Sequence, residues 1–269
     1  LRLLLLLAGC ALVLACAAGI VFRKTGQDAP APAKRTLRVA AAADLNATLP
    51  ILAAAFEEAN PGIQISASYG SSGNFYVQLQ TGAPFDLFMS ANLDYPRRLI
   101  AEGKASKESE FIYAIGHLVV WARRASPVDV QRLGIHALLD PSVKKISMAN
   151  PRFAPYGQAA EAALHSLGVY DQVKARLVLG NDVAQAAQFA QSGAADIGVF
   201  ALSLALAPRM RDEGKYWQVP EDAYPRLEQG GVILNAAAEK GAADAFRQFL
   251  QDKPARAILR KNGFYLPGE

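Results

Sequence analysis

The 269-residue chain has two cysteines, Cys10 and Cys16, and none after them. Disulfide and thiol chemistry are therefore excluded from the remainder of the protein. Histidine is almost as scarce. His117, His136 and His165 are far apart and lack ligand spacing, which argues against a metal site. No run of Lys or Arg with interleaved aromatics occurs, and the net charge of +4 owes much to Arg2, Arg23 and Lys24, so the pI of about 9.0 is no argument for nucleic acid. No short-period repeat is present. There is no Gly-x-Ser-x-Gly elbow, and the pattern brings no histidine near a serine, so a serine hydrolase is not indicated and no enzyme is expected.

What the chain does have begins with an apolar run, Leu1 to Phe22, preceded only by Arg2 as a charge. This reads as a bacterial export segment. Leu7-Ala-Gly-Cys10 resembles a lipobox, Ala15-Cys16-Ala17 offers a rival processing site, and an uncleaved anchor is the third reading, although Arg23 and Lys24 oppose an N-in orientation. All three place the remainder outside the cytoplasm, in the periplasm or on the outer side of the membrane, with lipid attachment at Cys10 or Cys16 left open. Residues 1–24 are the signal or anchor. Residues 25–35, with alternating proline and small residues, are a stiff linker.

From residue 36 onward, short apolar strands alternate with helical patterns. Leu37 to Ala43 reads as a strand, and Leu45, Leu49, Leu52 and Phe56 line one helix face, with Asp44, Asn46 and Thr48 as candidate caps. Gly62 to Tyr69 alternates as a strand, and a helix from Asn74 to Thr81 closes at Gly82. A strand over Ala83 to Ser90 follows, containing Asp86, read as orienting a neighbouring loop. Such alternation implies parallel α/β structure, with ligands beyond the carboxyl ends of the strands. Gly116 breaks a long apolar run and marks a crossing into a second lobe. There the pattern restarts: a strand over Lys145 to Ala149, a loop through Tyr156, a helix from Gly157 to Leu167, a strand over Ala175 to Leu179, a helix from Val183 to Gln191, and a strand over Asp196 to Phe200. Gly230 to Leu234 returns the chain. The expected division is residues 36–117 plus 228–269 for the first lobe and 118–227 for the second.

The most informative stretch is Gly70-Ser-Ser-Gly73. It joins a strand to a helix start, so hydroxyls and the unpaired amides of a first helical turn point at one spot, which suits an anion. A plain serine-capped turn is the simpler alternative.

Five stretches in order, Val39-Ala-Ala-Ala-Ala-Asp-Leu45, Tyr69-Gly-Ser-Ser-Gly-Asn74, Gly82 to Ala91, Ala149-Asn-Pro-Arg-Phe-Ala-Pro-Tyr-Gly157 and Asn181-Asp-Val183, resemble the molybdate-binding proteins of bacterial ABC transporters. The resemblance runs from about Leu37 to Leu266. It implies an α/β, two-lobed class II periplasmic binding-protein fold. A tetrahedral dianion, molybdate or tungstate, would lie in the interlobe cleft, held by amides and hydroxyls. It further implies a monomer, no cofactor, molybdenum present only as its oxyanion without direct protein–metal bonds, an ABC permease and its ATPase as partners, and membrane contact only through the N-terminal segment. Carried over, the binding residues are Ala43, Asp44, Ser72, Tyr156 and Val183. Asp44 departs from the serine or asparagine of many relatives, and the favoured reading is a helix cap whose backbone amide serves the anion. Ala201 stands where other relatives place a binding tyrosine, a duty that Tyr156 would assume. The two departures keep open another oxyanion such as sulfate, an organic acid, or a tethered sensor without transport.

Overall fold

The computed structural model describes residues 34–268; the export segment, the linker as far as residue 33 and both cysteines lie outside the described residues. Among the described residues no helix is long and apolar enough to cross a membrane.

Strand β1 (Arg35–Ala42) sets the first sheet. Its period of two sends Leu37, Val39 and Ala41 into one core and Ala40 into another on the opposite face. α1 (Leu49–Ala59), with Pro50 in its first turn, leads to β2 (Ile63–Gly70), which pairs in parallel with the whole of β1. α2 (Ser72–Gln80) then leads to β3 (Leu87–Ser90), parallel to β1 on its other side, and α3 (Asp94–Ala101) follows. The apolar run splits at Gly116–His117: β4 (Phe111–Gly116) stays in this sheet and β5 (Leu118–Arg123) enters a second.

The second sheet takes β6 (Ile146–Ala149), β7 (Leu177–Gly180), β8 (Ile197–Ala201) and β9 (Gly214–Gln218). Its helices are α4 (Val130–Leu133), α5 (Pro155–Ser166), α6 (Tyr170–Val173), α7 (Val183–Ser192), α8 (Leu202–Ala205) and α9 (Pro208–Glu213). β10 (Leu227–Ile233) returns the chain to the first sheet. α10 (Lys240–Phe249) and α11 (Lys253–Lys261) close it, burying Phe246 and Leu259 in the core that holds Leu37 and Val39.

The strand orders are β2-β1-β3-β10-β4 and β7-β6-β8-β5-β9. In each sheet three parallel strands are followed by an antiparallel one, and that strand is the first laid down after a crossover, β10 or β5. This is the two-lobed α/β architecture of class II binding proteins. The expectation of purely parallel sheets is corrected at these insertions. Other boundaries move as well. Residues 83–86 are not strand, because Asp86 is turned to other work; the second-lobe helix starts at Pro155, which is pre-set for a first helical turn, so Tyr156 is helical rather than in a loop.

Asp86 is fully buried ahead of β3. Its carboxylate accepts the Arg38 amide at 2.9 Å, the Arg38 guanidinium at 3.1 Å, and the amides of Ala238 and Glu239 at 2.8 and 3.3 Å. It thereby clamps β1 to the turn before α10. Burial pushes its pKa up, but the hydrogen bonds outweigh burial and leave it below the ordinary value of 3.8. A lowered carboxyl pKa stabilises the fold above the unfolded value, and that contribution is lost as pH falls through the folded one. Asp86→Ala is expected to lower urea stability by about 3 kcal/mol at neutral pH, since it strands buried donors. The gap to the unsubstituted protein should narrow below a pH of 3.8; a gap unchanged in acid would contradict this account.

Candidate functional site

The parallel strands of both sheets end facing one another, and the residues just past them line a small cavity of about 10 Å³. From the first lobe it is lined by Ala42, Ala43 and Asp44 after β1, Gly70, Ser71 and Ser72 after β2, and Ala91 after β3. From the second come Ala154, Pro155 and Tyr156 at the start of α5 and Asp182 and Val183 at the start of α7. The structure thus brings together all five residues singled out in the sequence, Ala43, Asp44, Ser72, Tyr156 and Val183. Ala201 is buried at the end of β8 and is not among the lining residues.

Local chemistry explains the donors. Ser71, rather than Ser72, caps α2, its Oγ accepting the Asn74 amide at 3.4 Å. Ser72 opens the helix, and its Oγ accepts the Ala91 amide at 3.0 Å, so its own hydroxyl hydrogen remains to be donated. Asp182 caps α7 by accepting the Gln185 amide at 2.9 Å, which uses its charge against the positive end of the helix and leaves Val183 at the first helical position. α2, α5 and α7 all begin at the cavity, and their first-turn amides have no partner within their own helices. No Lys, Arg or His lines it. The arrangement can hold an acceptor-rich anion by neutral dipoles. Among the described residues no group of His, Cys, Asp or Glu could hold a metal ion.

Asp44 overturns its expected role. It lies in a single 3-10 turn, Ala43–Leu45, and neither this turn nor α1 is capped by a side chain. The candidate caps Asn46 and Thr48 likewise make no such bond. Instead the Asp44 carboxyl is wholly buried and Oδ2 accepts from Gln229 Nε2 at 2.5 Å. Tertiary packing has claimed the side chain. Gln229 also donates to Tyr156 Oη at 3.0 Å and accepts from Tyr113 Oη at 3.0 Å. Burial pushes the Asp44 pKa up to about 6 against the pull of Gln229 and Tyr156, and burial together with Asp44's charge holds both tyrosines well above their ordinary range. Gln229 went unnoticed in the sequence. The signal available was an uncharged polar residue immediately before Gly230-Gly231 and the bulge there.

Besides the Gln229–Tyr156 bond, two hydrogen bonds cross the cleft directly. Ser203 Oγ donates to the Asp44 carbonyl at 2.9 Å, and the Gly73 amide donates to the Phe153 carbonyl at 2.9 Å.

Residues 37–265 match the family model described as bacterial extracellular solute-binding protein. The molybdate-binding protein ModA of Rhodobacter capsulatus is 38% identical over 203 residues, 76% of this chain and 78% of that protein. ModA of Azotobacter vinelandii is 36% identical over 230 residues, 86% of this chain and 90% of that protein. The chain belongs to the ModA family of extracellular solute-binding proteins. These relatives are binding proteins, not enzymes. The solved structure of the Azotobacter vinelandii periplasmic molybdate-binding protein superposes with a TM-score of 0.80, covering 86% of this chain and 99% of that one. The sulfate-binding protein SubI of Mycobacterium tuberculosis, 18% identical with a TM-score of 0.71 over 87% of this chain and 88% of that one, shares the fold.

The Gly73 bond generates a test within this ModA-family site. A Cβ added at Gly73 would lie 2.5 Å from the Phe153 carbonyl oxygen and 2.8 Å from Tyr95 Oη, so the lobes could not meet there. Gly73→Ala is expected to weaken ligand binding about tenfold or more while leaving each lobe folded, because about 1.4 kcal/mol of lost closure suffices for that factor. Calorimetry beside small-angle scattering would check it: a liganded variant as compact and as tight-binding as the unsubstituted protein would refute the role.

Proposed function

We propose that the chain captures molybdate, and tungstate with it, outside the cytoplasm and delivers the anion to an ABC permease and its ATPase. The observation that carries this reading is the convergence of the α2, α5 and α7 starts with the Ser72 hydroxyl on one cation-free cavity between the two sheets. The family supports it, since the relatives named above are molybdate-binding proteins. Ser72 donates its hydroxyl and amide, Val183 and Ala43 their amides, Tyr156 lines the opposite wall, and Asp44 contributes its amide. The working lobes are residues 36–117 with 228–269 and residues 118–227. The protein acts as a monomer whose sole contact with the membrane is its N-terminal segment, whether that is cleaved as an export signal, lipidated at Cys10 or Cys16, or retained as an anchor.

Neutral donors suit the task. Hydrogen bonds to a charged group contribute about 1.5–3 kcal/mol each, so a handful give a tight yet reversible site. Ser72→Ala should therefore weaken molybdate binding about tenfold to a hundredfold. Its fold should persist with a loss near 1 kcal/mol, because the Ala91 amide loses its acceptor. Thermal unfolding with molybdate, tungstate, sulfate or phosphate checks both the reading and the residue. A ligand at a hundred times its Kd adds about 2.7 kcal/mol of stability. Stabilisation by sulfate or phosphate alone would replace the ligand, and an unchanged response of Ser72→Ala would remove Ser72 from the site.

A further inference from the structure

Two carboxyls line the cavity; that of Asp182 caps a helix by accepting the Gln185 amide, whereas that of Asp44 has no such employment and conflicts with a dianion. The Asp44 carboxyl is completely buried and lines the cavity; Oδ2 accepts from Gln229 and the Tyr156 hydroxyl also pulls on the carboxyl, whereas Oδ1 is buried without a hydrogen-bond partner. With Gln229 Oε1 receiving Tyr113 Oη and Nε2 donating to Tyr156 Oη, the amide presents a donor to Oδ2, and Oδ1 is the oxygen left to carry a hydrogen.

We propose, resting on the oxyanion reading above, that Asp44 receives the dianion as a neutral carboxylic acid, so that each ligand is bound together with one proton held on Oδ1.

The surroundings offer no other compensation. β4 presents Tyr113, α5 presents Tyr156 and β10 presents Gln229; α2 brings Ser71 and Ser72, and α8 brings Ser203, whose hydroxyl is committed to the Asp44 carbonyl. From the start of α7 comes Asp182, a second carboxylate, already spent on the Gln185 amide. Tyr224 lies beyond Tyr156. None of these supplies a positive charge, and both tyrosines are held in their neutral form. An ionised Asp44 would stand unpaired beside a doubly charged ligand in a site closed to water. Protonation turns that repulsion into one more donor. Burial has already carried the empty site most of the way, with a pKa of about 6 against an ordinary 3.8.

The sign follows from linkage. The ligand prefers the protonated form, so binding raises the pKa further and consumes a proton wherever Asp44 was ionised beforehand. Affinity for a fully deprotonated oxyanion is then flat in acid and falls about tenfold per pH unit above a pH of about 6. It also follows that the site prefers an oxyanion with acceptors only. An ionised Asp44 would instead select a ligand that brings its own proton, such as hydrogenphosphate.

The decisive experiment is calorimetric titration of the processed protein with micromolar molybdate between about pH 5 and pH 8, in buffers of different ionisation enthalpy, alongside Asp44→Asn. The unsubstituted protein should take up close to one proton per molybdate at the alkaline end, with about a hundredfold loss of affinity from pH 6 to pH 8. Asp44→Asn should take up none and bind with pH-independent affinity. The proton count on the unsubstituted protein needs no variant, so poor folding of Asp44→Asn would not rescue the proposal. Binding without proton uptake and without pH dependence would overturn it while leaving the oxyanion site intact, as would tighter binding of phosphate than of molybdate at the alkaline end. If neither protein binds molybdate or tungstate at any pH, the oxyanion reading itself falls and the proton with it.

Discussion

A helix that starts in the interior must find partners for its first amides, and here three helices start at the same place. α2, α5 and α7 open onto one cavity, joined by the 3-10 turn Ala43–Leu45. Two of the three satisfy part of the demand with a capping side chain, Ser71 and Asp182, α2 spends a further amide, that of Gly73, on the Phe153 carbonyl, and the rest is left for whatever enters. The remainder of the architecture follows from arranging this convergence. Parallel strands bring successive helix starts to one edge, and two such edges facing each other surround a ligand that a single sheet could only touch.

The antiparallel strand in each sheet belongs to the same design. β10 inserts between β3 and β4 and delivers Gln229 behind the cavity-lining Asp44 and Tyr156, at a bulge and next to glycines that let neighbouring strands approach. From there Gln229 reaches Asp44 and Tyr113 of the first lobe and Tyr156 of the second. The network is therefore interlobe. It ties one buried carboxyl to a hydroxyl supplied by the other lobe, which is why Asp44 cannot be understood from its own turn.

Local grammar in the chain was enough to place the strand-to-helix junctions at Ser72 and Val183, because a strand, a small-residue turn, a capping side chain and a helix are all encoded within a few residues; Val183 was singled out as a binding residue only through the family resemblance. Tyr156 came only through family resemblance; nothing in the local pattern distinguishes a cavity-lining tyrosine from a packed one, and the helix around it was read as starting two residues late. Asp44 shows how local reasoning fails. Aspartate before an apolar helical pattern is a good cap by propensity, yet partners distant in sequence took the side chain and the cap was left unmade. Gln229 was illegible for the same reason, since its meaning depends on where the returning strand inserts. β9 escaped notice because Gly214–Gln218 is short, half-buried and mixed in polarity, and becomes strand only by pairing with β5.

Neutral donors also determine how such a site lets go. A lysine or arginine would attract a dianion over a range set by screening, on the order of 10 Å in salt, so parting the lobes would release it only gradually. A hydrogen bond weakens steeply beyond about 3.5 Å, so a separation of an ångström or two cancels every donor that the second lobe supplies. The cleft bonds of Gly73 and Ser203 have the same short reach and fail together with them. On the proposed reading, capture and release are governed by one coordinate, the closeness of the lobes, and not by a charge that persists after opening. A carboxyl that gains its proton in the closed form and loses it on exposure to water would add to that asymmetry, since the reopened site would again repel the anion it had just held.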